Sequence, residues 1–231
     1  MVVGLDGTRL LTDPVLRRTV VHLRRAAPVP RAAYAGVDAV LVSHSHFDHL
    51  DLPSLARLDR SVRVVVPRGA AMLVRRRGFG NVVEVEQGDE IEVGALRVHA
   101  VHADHDAARR PLGVRARPVG FVVRGSRSVY FAGDTDIFPG MDDLRPVDVA
   151  LLPVAGWGPT LPPGHLNPRS AAESLVLLRP GLAVPIHWGT FRTLLAPPPD
   201  DAAPQEFLRA ASELAPDVEV RVLEIGESCP L

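Results

Sequence analysis

The sequence predicts an α+β fold, and three observations carry that expectation. Short apolar runs bounded by polar residues, such as Val37–Ser43 and Val147–Leu152, have the length and composition of buried strands. Residues 82–85, 90–93 and 96–101 are alternating or apolar runs separated by Gly88 and Gly94, the pattern of an antiparallel meander. Helical character is confined to a few stretches, chiefly Pro168–Leu178 and Pro204–Leu214.

In chain order, Thr8–Asp13 follows the turn Asp6-Gly7 and precedes Pro14, which predicts a strand ending at Asp13. Residues 15–36 are punctuated by Arg and Pro, hold no recognisable element, and are expected to form a surface excursion near the mouth of the site. Leu52–Leu58 should start a helix with Pro53 in its first turn, Val62–Val66 a strand, and Ala70–Arg77 a helix that ends by Gly78. Val119–Val123 and the run from Ser128 to Phe131 read as strands, the second turning at Gly133 into Asp134. The Gly- and Pro-rich stretch Pro153–Pro168 predicts an irregular but stiffened loop, with Trp157 either walling a pocket or covering the core edge. A strand from Leu182 then brings His187 to its C-terminal end, and Val218–Leu223 should be the last strand.

The composition, 231 residues with 46% apolar and a formal net charge of −1, predicts a single domain spanning 1–231 with one sizeable core. No apolar run approaches the roughly 20 residues a membrane helix needs, and no leader with a small-residue cleavage site opens the sequence, so a cytoplasmic protein without an integral membrane segment is expected. Cys229 has no partner for an internal disulfide and is expected to be a free thiol on a frayed tail. All 26 basic residues are Arg, and acidic residues balance their clusters, so no nucleic-acid partner is expected.

Chemistry concentrates in His44-Ser45-His46-Phe47-Asp48-His49, directly after the Val37–Ser43 strand. Loops leaving the C-terminal ends of strands can converge while the sheet holds them rigid. Imidazoles and a carboxylate suit zinc, iron or manganese, and this stretch offers more ligands than one ion can take from so tight a turn. Two metal ions are therefore expected. Further candidates lie downstream at His99, His102 and His105, at Asp134, at His165 and at His187.

The hexapeptide resembles the metal-binding signature of the metallo-β-lactamase fold hydrolases, and the resemblance extends from Thr8 to Thr190 through Gly133-Asp134-Thr135, Gly164–Pro168 and Ile186–Thr190. It implies an αββα sandwich with a dinuclear site at one edge. Relatives carry an earlier strand, so this sequence should lack the first edge strand and leave Val2–Leu5 at an exposed edge that invites pairing with a second copy. The resemblance assigns His44, His46 and His105 to one metal, with His102 the alternative to His105. It assigns Asp48, His49 and His187 to the other metal and makes Asp134 the bridge. His99 is left as a plain strand residue.

The motif set looks most like the branch with ascorbate-6-phosphate lactonase-like and N-acylphosphatidylethanolamine phospholipase D-like enzymes. His46 stands where flavodiiron proteins carry Glu, which disfavours oxygen reduction. The implied activity is hydrolysis of an ester, lactone or phosphodiester bond in a small molecule or lipid by a metal-bridging hydroxide. Asp48 would orient that hydroxide and His165 would donate a proton or a hydrogen bond to the leaving oxygen. The implied ions are two divalent metals, zinc first, then manganese or iron. A mononuclear iron persulfide dioxygenase and a non-catalytic metal-binding domain are the competing expectations.

Overall fold

A computed structural model of the chain describes residues 1–106, 114–157, 160–193 and 202–231. In chain order the elements are β1 (Val2–Leu5), β2 (Thr8–Thr12), β3 (Thr19–Val20), β4 (Leu23–Arg25), α1 (Arg31–Tyr34), β5 (Ala39–Leu41), α2 (Leu52–Leu55) and β6 (Arg63–Pro67). They continue with α3 (Ala71–Arg75), β7 (Val82–Val85), β8 (Glu90–Val93), β9 (Leu96–His102), β10 (Val119–Arg124) and β11 (Ser128–Phe131). A 3-10 turn at Met141–Leu144 precedes β12 (Val149–Pro153), α4 (Pro168–Leu178), β13 (Leu182–Ile186), β14 (Phe191–Thr193), α5 (Ala202–Leu214) and β15 (Glu219–Val220).

Two sheets form the body. The first is five-stranded in the order β1-β2-β5-β6-β7, with β1 antiparallel to β2 at the edge and the rest parallel. The second is seven-stranded in the order β15-β13-β12-β11-β10-β9-β8. Its β8 to β11 portion is an antiparallel meander, but only two of the three runs expected to form one lie in it, because β7 pairs parallel with β6 in the first sheet; β11, β12, β13 and β15 are parallel.

Alternation along the strands builds three layers of core. In the first sheet Ala39, Leu41 and Val65 face the opposite sheet, while Val40, Val42, Val64 and Val66 pack outward with residues of α2 and α3. In the second, Phe121, Val129 and Phe131 face inward, and Val122, Tyr130, Ala150 and Leu152 pack with residues of α4 and α5. Burial on both faces is why these strands read as continuous apolar runs rather than alternating ones. The result is the αββα sandwich that the motifs imply.

Helix α4 shows how sequence sets an element. Asn167 accepts from the backbone N–H groups of Arg169 and Ser170 in a capping box, Pro168 occupies the first turn, and Ala171, Ala172, Ser174, Leu175 and Leu178 form the buried stripe. Truncating the fully buried Leu175 to Ala would cost about 2–5 kcal/mol.

The structure corrects several local expectations. Residues 15–36 are not featureless, because β3, β4 and α1 lie there, and β4 pairs antiparallel with β14 in a small sheet ordered β14-β4-β3. Arg24 pairs with Arg192, a partnership between distant segments that no local pattern announces. α2 stops at Leu55, α3 spans only Ala71–Arg75, and the final strand is only Glu219–Val220. Cys229 is partly buried against the inter-sheet core rather than frayed, since the chain end folds back with Leu223 onto that cluster. Gly158 and Pro159 of the stiffened loop lie outside the described residues. Among the described residues, no helix is long and apolar enough to cross a membrane.

Candidate metal centre

The strand directions decide where the site forms. β9 and β11 are both antiparallel to β10, so they run the same way, and β12 and β13 are parallel to β11. Loops following β9, β11, β12 and β13 therefore leave one edge of the second sheet. These loops carry His105, Asp134, Trp157 with His165, and His187. In the first sheet, β2 and the parallel β5 end at Asp13 and at the segment leading into His44. Gly133 has φ +64, and a Cβ there would lie 2.5 Å from the Ser43 Cβ, so only glycine lets the Asp134 turn approach the His44 loop this closely.

Six of the nine histidines in the chain meet in this site: His44, His46, His49, His105, His165 and His187. His44 Nε2 lies 3.1 Å from His46 Nδ1, which in turn lies 3.2 Å from His105 Nε2. A second group joins His49 Nε2 to His187 Nε2 at 3.2 Å, with Asp48 Oδ2 at 3.7 Å and 3.8 Å from those two nitrogens. Asp134 stands between the groups, its Oδ2 3.7 Å from His44 Nε2 and 3.1 Å from His49 Nε2, its Oδ1 3.5 Å from His187 Nε2.

In four of the rings the nitrogen turned away from the cluster is tied to oxygen. His105 Nδ1 bonds to the Gly164 carbonyl at 2.9 Å, His187 Nδ1 to the Ala155 carbonyl at 2.8 Å, and His49 Nδ1 to Asp13 Oδ2 at 2.6 Å. The Ser43 hydroxyl donates its proton to Asp13 Oδ2 at 2.5 Å and so accepts from His44 Nδ1 at 3.0 Å. In these four rings a proton on Nδ1 would turn the Nε2 lone pair inward, as in metal-ligating histidines, whereas His46 faces the cluster with Nδ1.

The donor set fits metal ions. Nitrogens held at 2.0–2.1 Å around one tetrahedral ion lie about 3.3–3.4 Å apart, close to the separations across both groups. Asp134 Oδ1 is buried without a hydrogen-bond donor, an arrangement that is costly unless a cation faces it. Burial, aided by neighbouring rings, keeps the His44 and His46 imidazoles below their ordinary range, and burial lowers His105 to about 4, so these three stay neutral and ready to coordinate. Burial would raise Asp48 and Asp134, but His49 and His187 beside them hold both carboxyls well below the usual range. Burial opposes charge on His49 and His187, yet the carboxylates lift both above the ordinary histidine range.

A family model described as the β-lactamase superfamily domain matches residues 8–188. The chain belongs to the β-lactamase superfamily. Among the superfamily chains similar to it, a UPF0173 metal-dependent hydrolase of Methanopyrus kandleri is 36% identical, the match covering 98% of this chain and 94% of that protein. A second UPF0173 metal-dependent hydrolase, from Caldivirga maquilingensis, is 31% identical over 97% of this chain and 91% of its own length. A metallo hydrolase from the hyperthermophilic archaeon Ignicoccus hospitalis superposes with a TM-score of 0.71 at 25% identity, covering 98% of this chain and 91% of that one. The isothiocyanate hydrolase from Delia radicum gut bacteria shares the fold, with a TM-score of 0.76 at 21% identity over 100% of this chain and 95% of that one.

Within this superfamily site, His44, His46, Asp48, His49, His105, Asp134 and His187 are all brought into the cluster. His102, the alternative to His105, is not: its exposed ring packs edge-on against Phe138 at 4.8 Å. His99 lies 3.0 Å from Glu90 on the meander. His165 enters the cluster with Nε2 3.6 Å from Asp134 Oδ2, its Nδ1 3.0 Å from the Pro162 carbonyl. Asp13 and Ser43 went unread in the sequence, and Trp157, read there as walling a pocket or covering the core edge, lines the cavity beside the cluster. Asp13 receives His49, the Ser43 hydroxyl and, at 2.7 Å, the Ser43 backbone N–H; its place at a strand end before Pro14 was the available signal. Ser43 orients His44, and Trp157 donates Nε1–H to Asp48 Oδ2 at 2.8 Å.

Proposed function

We propose that this β-lactamase superfamily chain is a hydrolase that works with two divalent metal ions, zinc foremost, and cleaves an ester, lactone or phosphodiester bond in a small molecule or lipid. The observation that carries it is Asp134, one carboxylate facing two converging donor groups. His44, His46 and His105 would hold one ion, Asp48, His49 and His187 the other, with Asp134 shared. Paired cations so held would supply a water of lowered pKa and a polarised bond to attack.

The chain's own groups supply the rest. Asp48 is ionised and keeps one oxygen on the Trp157 indole, so it can accept a hydrogen bond from the attacking water and fix its direction. His165 is tied through Nδ1 to the Pro162 carbonyl and faces the site with Nε2. Burial works against its charge, but the Asp134 carboxylate 3.6 Å away raises its pKa, and Nε2 is the atom placed to give a proton to the leaving oxygen. The motifs at Leu11–Pro14, Gly164–Pro168 and Ile186–Thr190 support the branch resembling ascorbate-6-phosphate lactonase-like and N-acylphosphatidylethanolamine phospholipase D-like enzymes.

Elemental analysis after reconstitution with zinc or manganese, paired with hydrolysis of p-nitrophenyl esters, lactones and bis-p-nitrophenyl phosphate, tests the proposal. About two ions per chain and turnover of one of these classes are expected, and Asp134→Ala should lower the metal content and abolish turnover while the fold persists. At most one ion per chain, or full activity in that variant, would overturn it.

A further inference from the structure

The cavity beside the cluster has a volume of about 550 Å³, and its walls differ in kind. Its polar lining includes Asp48, Asp134, His165 and His187, with His22 and Asp106. Its apolar lining is assembled from separate segments: Val20, Val21 and Leu23 of the β3–β4 hairpin, Phe47 of the metal loop, and Leu161. Trp157 joins the two, its indole bonded to Asp48, its ring 4.4 Å from the His187 ring and 5.3 Å from that of Phe191.

The hairpin is anchored for this position. Val20 and Leu23 are buried with Val15 and Phe191, β4 is paired to β14, and the Arg25 guanidinium lies 4.6 Å over the Phe191 ring while bonding to the Val15 carbonyl. β14 begins just after His187, so the segment that supplies a candidate ligand also supports the apolar wall. At the hairpin tip Val21 has φ 50, a left-handed conformation disfavoured for a β-branched residue, where a turn would ordinarily take Gly or Asn. Val21 is 64% exposed and lines the cavity, so the strained backbone holds an isopropyl group at the mouth with little burial in the protein to compensate it. Backbone outliers of this kind gather at ligand sites, and Asp13 (φ 40) and His187 (φ 62) share the conformation in the same site.

We propose that the substrate is a carboxylic ester or lactone bearing an extended alkyl or acyl arm that lies along the Val21–Phe47–Leu161 wall, with Val21 determining specificity for that arm. This rests on the hydrolase proposal above and narrows it. In the reaction, water oxygen bonds to the acyl carbon, the acyl carbon–oxygen bond breaks, and the leaving oxygen takes a proton; no redox partner is needed.

The test uses the metal-loaded full chain with p-nitrophenyl acetate and p-nitrophenyl octanoate, alongside bis-p-nitrophenyl phosphate. Binding of the uncleavable ketone 2-decanone is followed separately by tryptophan fluorescence. Wild-type kcat/KM should favour octanoate over acetate by about tenfold or more, the worth of burying roughly two methylene groups. Val21→Asn and Val21→Gly, which both relax the turn, should cut that ratio about tenfold and weaken 2-decanone binding, with thermal stability not lowered. An octanoate-to-acetate ratio near one in the wild type, a ratio unchanged in both variants, or preference for the phosphodiester would overturn the proposal. Binding of 2-decanone that weakens in the variants, with no ester or phosphodiester cleaved, would support the apolar wall while sinking the hydrolase proposal.

Discussion

The Trp157 indole donates its only N–H to Oδ2 of Asp48 across 2.8 Å, from a loop more than a hundred residues downstream of the metal motif. The bond joins a half-buried carboxylate to the loop after β12, while His49 and His187 approach the same oxygen at 3.7 Å and 3.8 Å. Trp157 is thus a positioning residue for Asp48.

Trp157→Phe keeps the ring against His187 and Phe191 and removes only that donor. Because the bond goes to a charged acceptor, its loss should lower kcat on the order of 10–100-fold. Metal content, read by elemental analysis, should stay at the wild-type level. A variant with wild-type kcat would make Trp157 a wall residue and nothing more.

Asp13 sits behind His49 rather than in the inward-facing donor set, and it also holds Ser43, which orients His44. Asp13→Asn preserves shape but removes the charge that fixes the His49 tautomer. Metal affinity should fall about 10–100-fold, the usual consequence of losing such an outer carboxylate. Competition against a chromophoric chelator measures it, and an unchanged dissociation constant would reduce Asp13 to a strand terminus.

What could be read in advance follows from how local each signal is. The hexapeptide His44–His49, Gly133-Asp134-Thr135 and His187 after an apolar strand carry their meaning in a few adjacent residues, and these are the side chains that converge. The choice of His105 over His102 fits a strand that runs through His102, leaving its ring at an exposed position beside Phe138 while His105 lies in the loop beyond. Asp13 could be seen as the end of a strand but not as the partner of His49, because that contact spans two loops. The β3–β4 hairpin was illegible for the same reason: two- and three-residue strands owe their existence to pairing with Phe191–Thr193 and to burial of Val20 and Leu23.

Burial pushes the His105 imidazole down to about 4 in the fold, against a pull from Asp134, whereas an unfolded chain binds that proton near pH 6.5. Between these values the unfolded state binds more protons. The contribution of His105 to stability is therefore complete above about pH 6.5 and drains away as pH falls towards 4. Metal-free protein should lose stability relative to its His105→Asn variant across that window, with a slope of no more than about 1.4 kcal/mol per pH unit. Denaturant midpoints collected at several pH values would show it, and a wild-type stability that falls relative to the variant as pH rises would mean the ring is charged in the fold.

His165 and His187 present the same outline, each with Nδ1 on a backbone carbonyl and Nε2 facing Asp134, and the question is which one holds a metal. His187 follows directly on β13, is fixed in a left-handed backbone conformation, and packs its ring against both His49 and Trp157. His165 hangs from the Pro162–Gly164 turn and meets the His105 ring edge-on at 4.6 Å. Its Nε2 lies nearest to Asp134 Oδ2, the oxygen that also serves His49. A ligand needs the rigid seat and a proton donor needs reach into the cavity, which both residues line. His187→Ala should therefore lose one metal ion per chain. His165→Ala should retain both ions while kcat falls on the order of 10²-fold, the scale of a single general acid or oxyanion donor, and the limb of the pH–rate profile that reports a protonated acid should flatten. If instead His165→Ala sheds an ion and His187→Ala keeps both, the two roles exchange, and the Gly164–His165 turn becomes the metal-bearing loop.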